Sequence, residues 1–235
     1  MRFKRVSLAN CKEATGTVVA VDVIRAFTSA AYAFAGGAEA IVLTGEVEEA
    51  LALGRSIPGA LVMGEDGLKP EGFDLGNSPA EVGRFDLAGR RLVQRTSAGT
   101  QGVVCSYDRA DVLLTCSLVC AKATARYILE LAPEAVTFVI TGIGVGVVGN
   151  DGEEDMACAD YVQALLQGEN PPTELVVQRV LDSDVARHLF LNPGQPAYSP
   201  DDLPYCTAIN RFDFAMRVKR EDGLLVMRPT SRPLQ

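Results

Sequence analysis

Four carboxylates (Glu65, Asp66, Glu71, Asp74) and one amine, Lys69, share the stretch Gly64 to Pro79, which reads GEDGLKPEGFDLGNSP. Oxygen ligands at that density suit a hard cation such as Mg²⁺. The stretch closes on Ser78 and Pro79, with Glu81 three residues after the serine. That order gives an N-cap hydroxyl, a proline at the first helical position and a capping-box acid. A helix starting there would turn backbone N–H groups toward an anion. A solvated loop whose acids only maintain solubility has the same composition.

Further polar clusters follow apolar runs of strand length: Asp22 with Arg25, Arg95 through Thr100 (RTSAGT), and Glu153 through Asp155. In open α/β sheets the ligand crevice lies outside the carboxyl ends of the strands. Brought together there, these clusters would supply acids for a metal, an arginine for an anion, and hydroxyl and N–H donors for phosphate oxygens. Such a set serves phosphoryl chemistry. Each cluster also has a plain reading. Asp22 can cap a helix beside a surface Arg25, Ser97 to Thr100 can form a tight turn, and Glu154 and Asp155 can complement a helix dipole.

The elements that must position these residues are readable from periodicity. Apolar runs at 17–23, 40–43, 60–63, 91–94, 111–115 and 136–141 predict strands, several of them apolar on both faces. Helices are predicted over 24–35, 46–55, from a Ser117 cap to about 131, and over 153–166. Strand, loop and helix in rotation predict an α/β fold: mostly parallel sheet flanked by helices in three layers. A weak likeness between 18–53 and 136–166 permits two halves of similar topology. Residues 1–170 form the main α/β region on this reading. After Pro171-Pro172, residues 171–235 should add a helix over 173–190, a proline-rich loop over 192–204, and a hairpin over 211–227 turning at Glu221-Asp222-Gly223.

The whole chain sets bounds. At 235 residues it can bury a substantial core. A net charge of −8 and an acidic pI of 4.8 argue against a nucleic-acid partner. They do not argue against a small anionic substrate, since local fields decide that. No apolar run approaches the ~20 residues of a membrane span, and the start lacks a secretory apolar segment. The six cysteines are scattered, so reduced, mostly buried thiols in a cytoplasmic protein are expected. Cys116 and Cys120 should share a helix face. Apolar helices make a homodimer plausible.

Three signals carry less than their pattern suggests. Gly144-x-Gly146-x-x-Gly149 follows a strand, but Asn150-Asp151-Gly152 continues loop where a dinucleotide fingerprint needs helix. Cys120 and Arg126 have phosphatase-like spacing, but AKATA between them consists of helix formers and cannot cradle a phosphate. His188 is the only histidine and lies away from the clusters, which leaves no Ser–His–Asp arrangement to build.

Taken in order, VVAVDVIRAFTSA, Gly64-Glu65, GFDLGNSP, TSAGT, LLTCSLVCAKATA and EEDMACAD resemble the 2-phosphosulfolactate phosphatase (ComB-like) family over roughly residues 17–166. The resemblance implies an α/β fold and a Mg²⁺-dependent phosphatase that converts 2-phospho-3-sulfolactate to 3-sulfolactate and phosphate, for coenzyme M synthesis. The chain departs from the family pattern where Ala98 replaces an asparagine and Ser97 a threonine in one block, and where Phe27 replaces a threonine in another. On this reading Asp22, Arg25 and Asp74 are catalytic. Asn77, Ser78, Thr96, Ser97, Gly99 and Thr100 bind substrate. Asp22, Glu65, Asp74, Glu154 and Asp155 are candidates for Mg²⁺.

Overall fold

The computed structural model describes residues 1–142, 152–187 and 199–230. The strands are β1 (Arg2–Ser7), β2 (Gly16–Val21), β3 (Ala40–Leu43), β4 (Leu61–Gly64), β5 (Arg91–Arg95), β6 (Ala110–Cys116), β7 (Ala135–Ile140), β8 (Met216–Glu221) and β9 (Leu224–Pro229). The helices are α1 (Ala26–Ala35), α2 (Val47–Ser56), α3 (Pro79–Val82), α4 (Gly99–Ser106), α5 (Ala121–Leu131), α6 (Glu153–Leu166), α7 (Thr173–Asp182) and α8 (Asp202–Cys206). All nine strands join one sheet in the order β1-β7-β2-β6-β8-β9-β3-β5-β4.

The sheet is mixed. Parallel blocks β1-β7-β2-β6 and β3-β5-β4 stand on either side of the antiparallel hairpin β8–β9. The hairpin turns at Asp222-Gly223, both at positive φ, as the Asp-Gly pair predicts. It pairs antiparallel with β6 on one side and β3 on the other. The C-terminal residues therefore close the centre of the sheet. Between β7 and β6, β2 is buried along Thr17–Val21, which explains its run of valines without polar alternation. Each such side chain, fully buried, contributes about 1.5–3 kcal/mol.

Two connections cross between the blocks and matter most for function. Helix α1 carries the chain from β2 to β3, and α4 carries it from β5 to β6. Both begin at strand carboxyl ends, where a crevice opens.

Several expectations need correction. Strand β1 was not foreseen; its charged alternation, with Arg2 and Lys4 exposed, marks an edge strand. Ser117 precedes a 3₁₀ turn, its hydroxyl is buried without a hydrogen-bond partner, and Cys116 ends β6 instead of lying on a helix. The loop expected over 192–204 contains the start of α8. The predicted helix at 173–190 is helical as α7 to Asp182; His188 and the glycine pattern at 144–149 lie outside the described residues. The cysteines are not all reduced, because Cys11 and Cys105 form a disulfide between the 3₁₀ segment Leu8–Glu13 and α4. Cys116, Cys120, Cys158 and Cys206 are free and buried. Arg126 is exposed and pairs with Asp213, so it plays no part with Cys120.

Candidate active site

Asp22 leaves the end of β2 and turns back onto the start of α1, where its Oδ1 accepts from the Ala26 N–H at 2.9 Å. Only 5% of the residue is exposed. Its other oxygen, Oδ2, faces α4: a Cβ on Gly99 would stand 2.7 Å from it and 2.7 Å from Ala26 Cβ. The glycine of TSAGT thus lets a helix N-terminus approach a carboxylate that a side chain would push away. Thr141, at the end of β7, lies with Oγ1 3.4 Å from Asp22 Oδ2 and 3.4 Å from Asp155 Oδ2. Burial pushes the Asp22 carboxyl up to about 6 against the hydrogen bond from Ala26 N–H; the nearby Glu65 charge adds to the rise, and Thr141 and Arg25 oppose it more weakly.

Asp155 and Glu154 open α6 and are both buried. Asp155 Oδ1 accepts from Val23 N–H at 2.7 Å and Oδ2 from Gly142 N–H at 2.9 Å, tying α6 to the ends of β2 and β7. A Cβ on Gly142 would lie 2.7 Å from Glu154 Oε1 and 3.2 Å from Asp155 Oδ2, so both acids pack against that backbone. Burial, Glu154 and Asp22, in that order, raise Asp155 well above the ordinary carboxylate range. These acids do more than complement a helix dipole.

Beside this corner is a cavity of about 290 Å³ lined by Arg25, Glu65, Gly67, Leu68, Lys69, Gly76, Asn77, Ser78 and Glu81. The acid-rich loop forms much of its wall. Arg25 is fixed by a salt bridge to Asp202, Nη1 to Oδ2 at 2.7 Å, with side chains 5% and 0% exposed. The second Asp202 oxygen accepts from Ser78 Oγ at 2.6 Å and Ala80 N–H at 3.1 Å. Asp202 therefore joins the arginine to the start of α3. Ser78 caps α3 as predicted, accepting from Glu81 N–H at 3.1 Å. The reciprocal bond differs: Glu81 accepts from Gly76 N–H at 3.0 Å. Asn77 is buried, and its Oδ1 has no hydrogen-bond partner.

The remaining sequence candidates divide by contact. Glu65 takes Ser97 N–H at 2.7 Å, Ser97 Oγ at 3.0 Å and Gly67 N–H at 2.7 Å, which latches the acidic loop to TSAGT. Thr96 and Thr100 fasten that loop to itself: each hydroxyl accepts the other's backbone N–H, at 3.0 and 2.9 Å. Asp74 is set apart. It is exposed, accepts from Val62 N–H at 2.8 Å in β4, and does not line the cavity. The structure gathers Asp22, Glu154 and Asp155 in one corner, and Arg25, Glu65, Asn77 and Ser78 along one wall. Asp202 was missed because its segment reads as proline-rich loop; the ordering of Asp201-Asp202 ahead of Leu203 was the one local hint.

The donor set bears on a metal. Among the described residues no group of three or more His, Cys, Asp or Glu is gathered as a ready metal cage. Mg²⁺ seldom uses such a cage; it binds through one or two carboxylates and keeps waters and substrate oxygens. Buried acids that raise one another's proton affinity fit a cation of that kind.

The family described as 2-phosphosulpholactate phosphatase matches residues 4–221 of this chain. A probable 2-phosphosulfolactate phosphatase of Thermus thermophilus is 43% identical over 204 residues, 82% of this chain and 83% of that protein. The protein of the same name in Bacillus subtilis is 33% identical over 207 residues, 86% and 87% of the two chains. That of Carboxydothermus hydrogenoformans is 31% identical over 229 residues, 89% of each.

Proposed function

The chain belongs to the 2-phosphosulpholactate phosphatase family, and from that premise we propose that it hydrolyses 2-phospho-3-sulfolactate to 3-sulfolactate and phosphate with Mg²⁺. It is a phosphoric monoester hydrolase, and its substrate is a small phosphate ester. One observation carries the rest: Asp22, buried and held near pKa 6, stands where α1 and α4 begin, behind a cavity edged by Arg25 and Lys69.

Arg25, immobilised by Asp202, meets the phosphoryl oxygens with its direction already set. Lys69 lines the same cavity and meets a second negative group, carboxylate or sulfonate. Asn77 Oδ1, an acceptor that the protein leaves without a donor, can take a hydrogen bond from the attacking water. Asp22 Oδ2, the oxygen that Ala26 N–H does not hold, would take the proton of the attacking water. Asp22, Glu154 and Asp155 would hold the cation, which when bound offsets their charge and polarises the phosphate ester. Glu65 has a different part in this reading: it keeps the loop closed over the cavity through Ser97 and Gly67.

No helix among the described residues is long and apolar enough to cross a membrane. The reading includes a cytoplasmic setting and a homodimer. A role in coenzyme M synthesis depends on the sulfonate substrate. The deciding experiment measures phosphate release from 2-phospho-3-sulfolactate with Mg²⁺ and with EDTA, beside other phosphorylated hydroxy acids. Release that needs Mg²⁺ and favours the sulfonate is expected. Preference for another ester replaces the substrate, and undiminished release in EDTA removes the metal.

A further inference from the structure

The hairpin β8–β9 carries a charge arrangement that the catalytic reading does not use. Its register places Arg217 directly opposite Arg228. Like charges in directly opposed positions of an antiparallel pair destabilise the sheet. One of the two is neutralised: Arg228 gives Nε and Nη2 to Glu221, at 3.2 and 3.0 Å, and Nη1 lies 3.4 Å from Glu39. Arg217 is not. Among the described residues it has no carboxylate partner; its Nη1 donates to the Tyr127 hydroxyl at 3.0 Å, and its Nε is buried without a partner.

Arg217 and its neighbours line a second cavity of about 290 Å³, with Tyr127, Lys219, Glu221, Val226, Arg228, Pro229 and Thr230. Residues 217, 219 and 221 alternate along β8, so they share one face of the sheet. Met216 and Val218 point the other way, into the main core. Tyr127 of α5 forms one wall. This cavity and the catalytic one have no lining residue in common. Its polar groups are mostly donors. Tyr127, accepting from Arg217, keeps its own proton to give, and Lys219 adds three N–H groups. With Glu221 committed to Arg228, the charge left over is that of Arg217 and Lys219, in a protein of net charge −8.

We propose that this cavity is a second anion site, which takes a small metabolite carrying phosphate or carboxylate groups. The opposed arginines and the donor-lined space are then one feature, because a bound anion would offset the like charges and take the donors that line the cavity. A cavity of this size suits a compact ligand, and Arg217 suits an oxyanion with paired oxygens.

The test is calorimetric titration of the full chain with inorganic pyrophosphate in EDTA, which reads binding without turnover and so does not depend on the catalytic assignment. Two binding events are expected for the wild type. Arg217→Gln with Lys219→Gln should lose one event, its affinity falling at least about tenfold, and keep the other. Arg25→Gln should do the reverse. If the double variant does not fold, Lys219→Glu alone, at an exposed strand position, should weaken the same event. No binding in the wild type overturns the proposal, as does binding that Arg217→Gln with Lys219→Gln leaves unchanged. Self-association through this face with no pyrophosphate bound there would overturn it as well.

Discussion

Asp22 and Asp202 are both buried aspartates a few side chains apart, yet their surroundings are opposite in kind. Asp202 receives a guanidinium, a hydroxyl and a backbone N–H. Asp22 receives one close backbone N–H, while Glu65 adds negative charge nearby. Burial costs an ion several kcal/mol unless partners repay it. Asp202 is repaid and acts as a structural anchor. Asp22 is not repaid, so it sits high in energy as an anion, ready to bind a proton or a cation. The difference separates the group that positions from the group that reacts, and substitutions at four positions test it.

The largest effect belongs to Asp22→Asn. Phosphate release should fall about a thousandfold or more, while the amide keeps the bond to Ala26 N–H. Stability should change the other way. The folded carboxyl titrates near 6 and the unfolded one near 3.8, so the folded state holds the proton more tightly. The Asp22 contribution to stability without metal is therefore greatest below pH 3.8 and is lost as pH rises through 6, by about 3 kcal/mol. In EDTA the variant should melt above the wild type at pH 7.5 and level with it near pH 4. Adding Mg²⁺ should close the gap at pH 7.5. A variant that melts lower than the wild type at every pH would make Asp22 an anchor like Asp202.

Asp202→Ala should reverse that pattern. Removing one partner of a buried pair leaves the other charge uncompensated, at a cost of about 3–5 kcal/mol. Arg25 and the start of α3 lose their common fixture, so KM should rise along with the fall in melting temperature. Asp202→Asn, which can still accept from Ser78 and Ala80, should recover part of the stability. Unchanged melting of Asp202→Ala would end the comparison.

Gly99→Ala probes the contact on which Asp22 depends. The added methyl would meet Asp22 Oδ2 and Ala26 Cβ, each at 2.7 Å, and neither can retreat from a packed helix start. Overpacking of this kind costs about 1–3 kcal/mol. The loss should fall on kcat, with KM for the substrate little changed, since Arg25 and Lys69 line the cavity and Gly99 does not. Equal losses in both parameters would place Gly99 in substrate binding.

The sequence disclosed the Asp22 side of this comparison and concealed the Asp202 side, for a physical reason. Asp22, Gly99, Glu154 and Asp155 each lie at the end of a strongly patterned strand or the start of a helix, where local periodicity fixes position within a residue or two. All the parallel strands but β1 were legible for the same reason, as was the Asp-Gly hairpin. Asp202 works across 177 residues of chain to reach Arg25, from a five-residue helix with little periodicity of its own. The Cys11–Cys105 disulfide spans 94 residues and was equally invisible, because spacing says nothing of which thiols meet. Asp74 shows a different limit: acids dense along the chain diverge in space, one to a β4 amide and another, Glu65, to Ser97. Placing the hairpin at the sheet's centre needed the partner strands β6 and β3, which no local pattern names.

The smallest effect serves as the control on sign. Glu221 is paired with Arg228, and the hydrogen bonds from that guanidinium hold its carboxyl below the usual 4.5. An acid lowered in this way contributes stability above its unfolded pKa and loses it as pH falls, the reverse of Asp22. The side chains are 36% and 37% exposed, so water screens the pair, and its worth is about 0.5 kcal/mol. Glu221→Gln should therefore lower the melting temperature by about a degree or two at pH 7 and not at all near pH 3. It should leave the step between pH 4 and 6 that belongs to Asp22 intact. If that step disappears with Glu221→Gln, the acid penalty lies in the hairpin. If it disappears only with Asp22→Asn, the unpaid charge is at the head of α1.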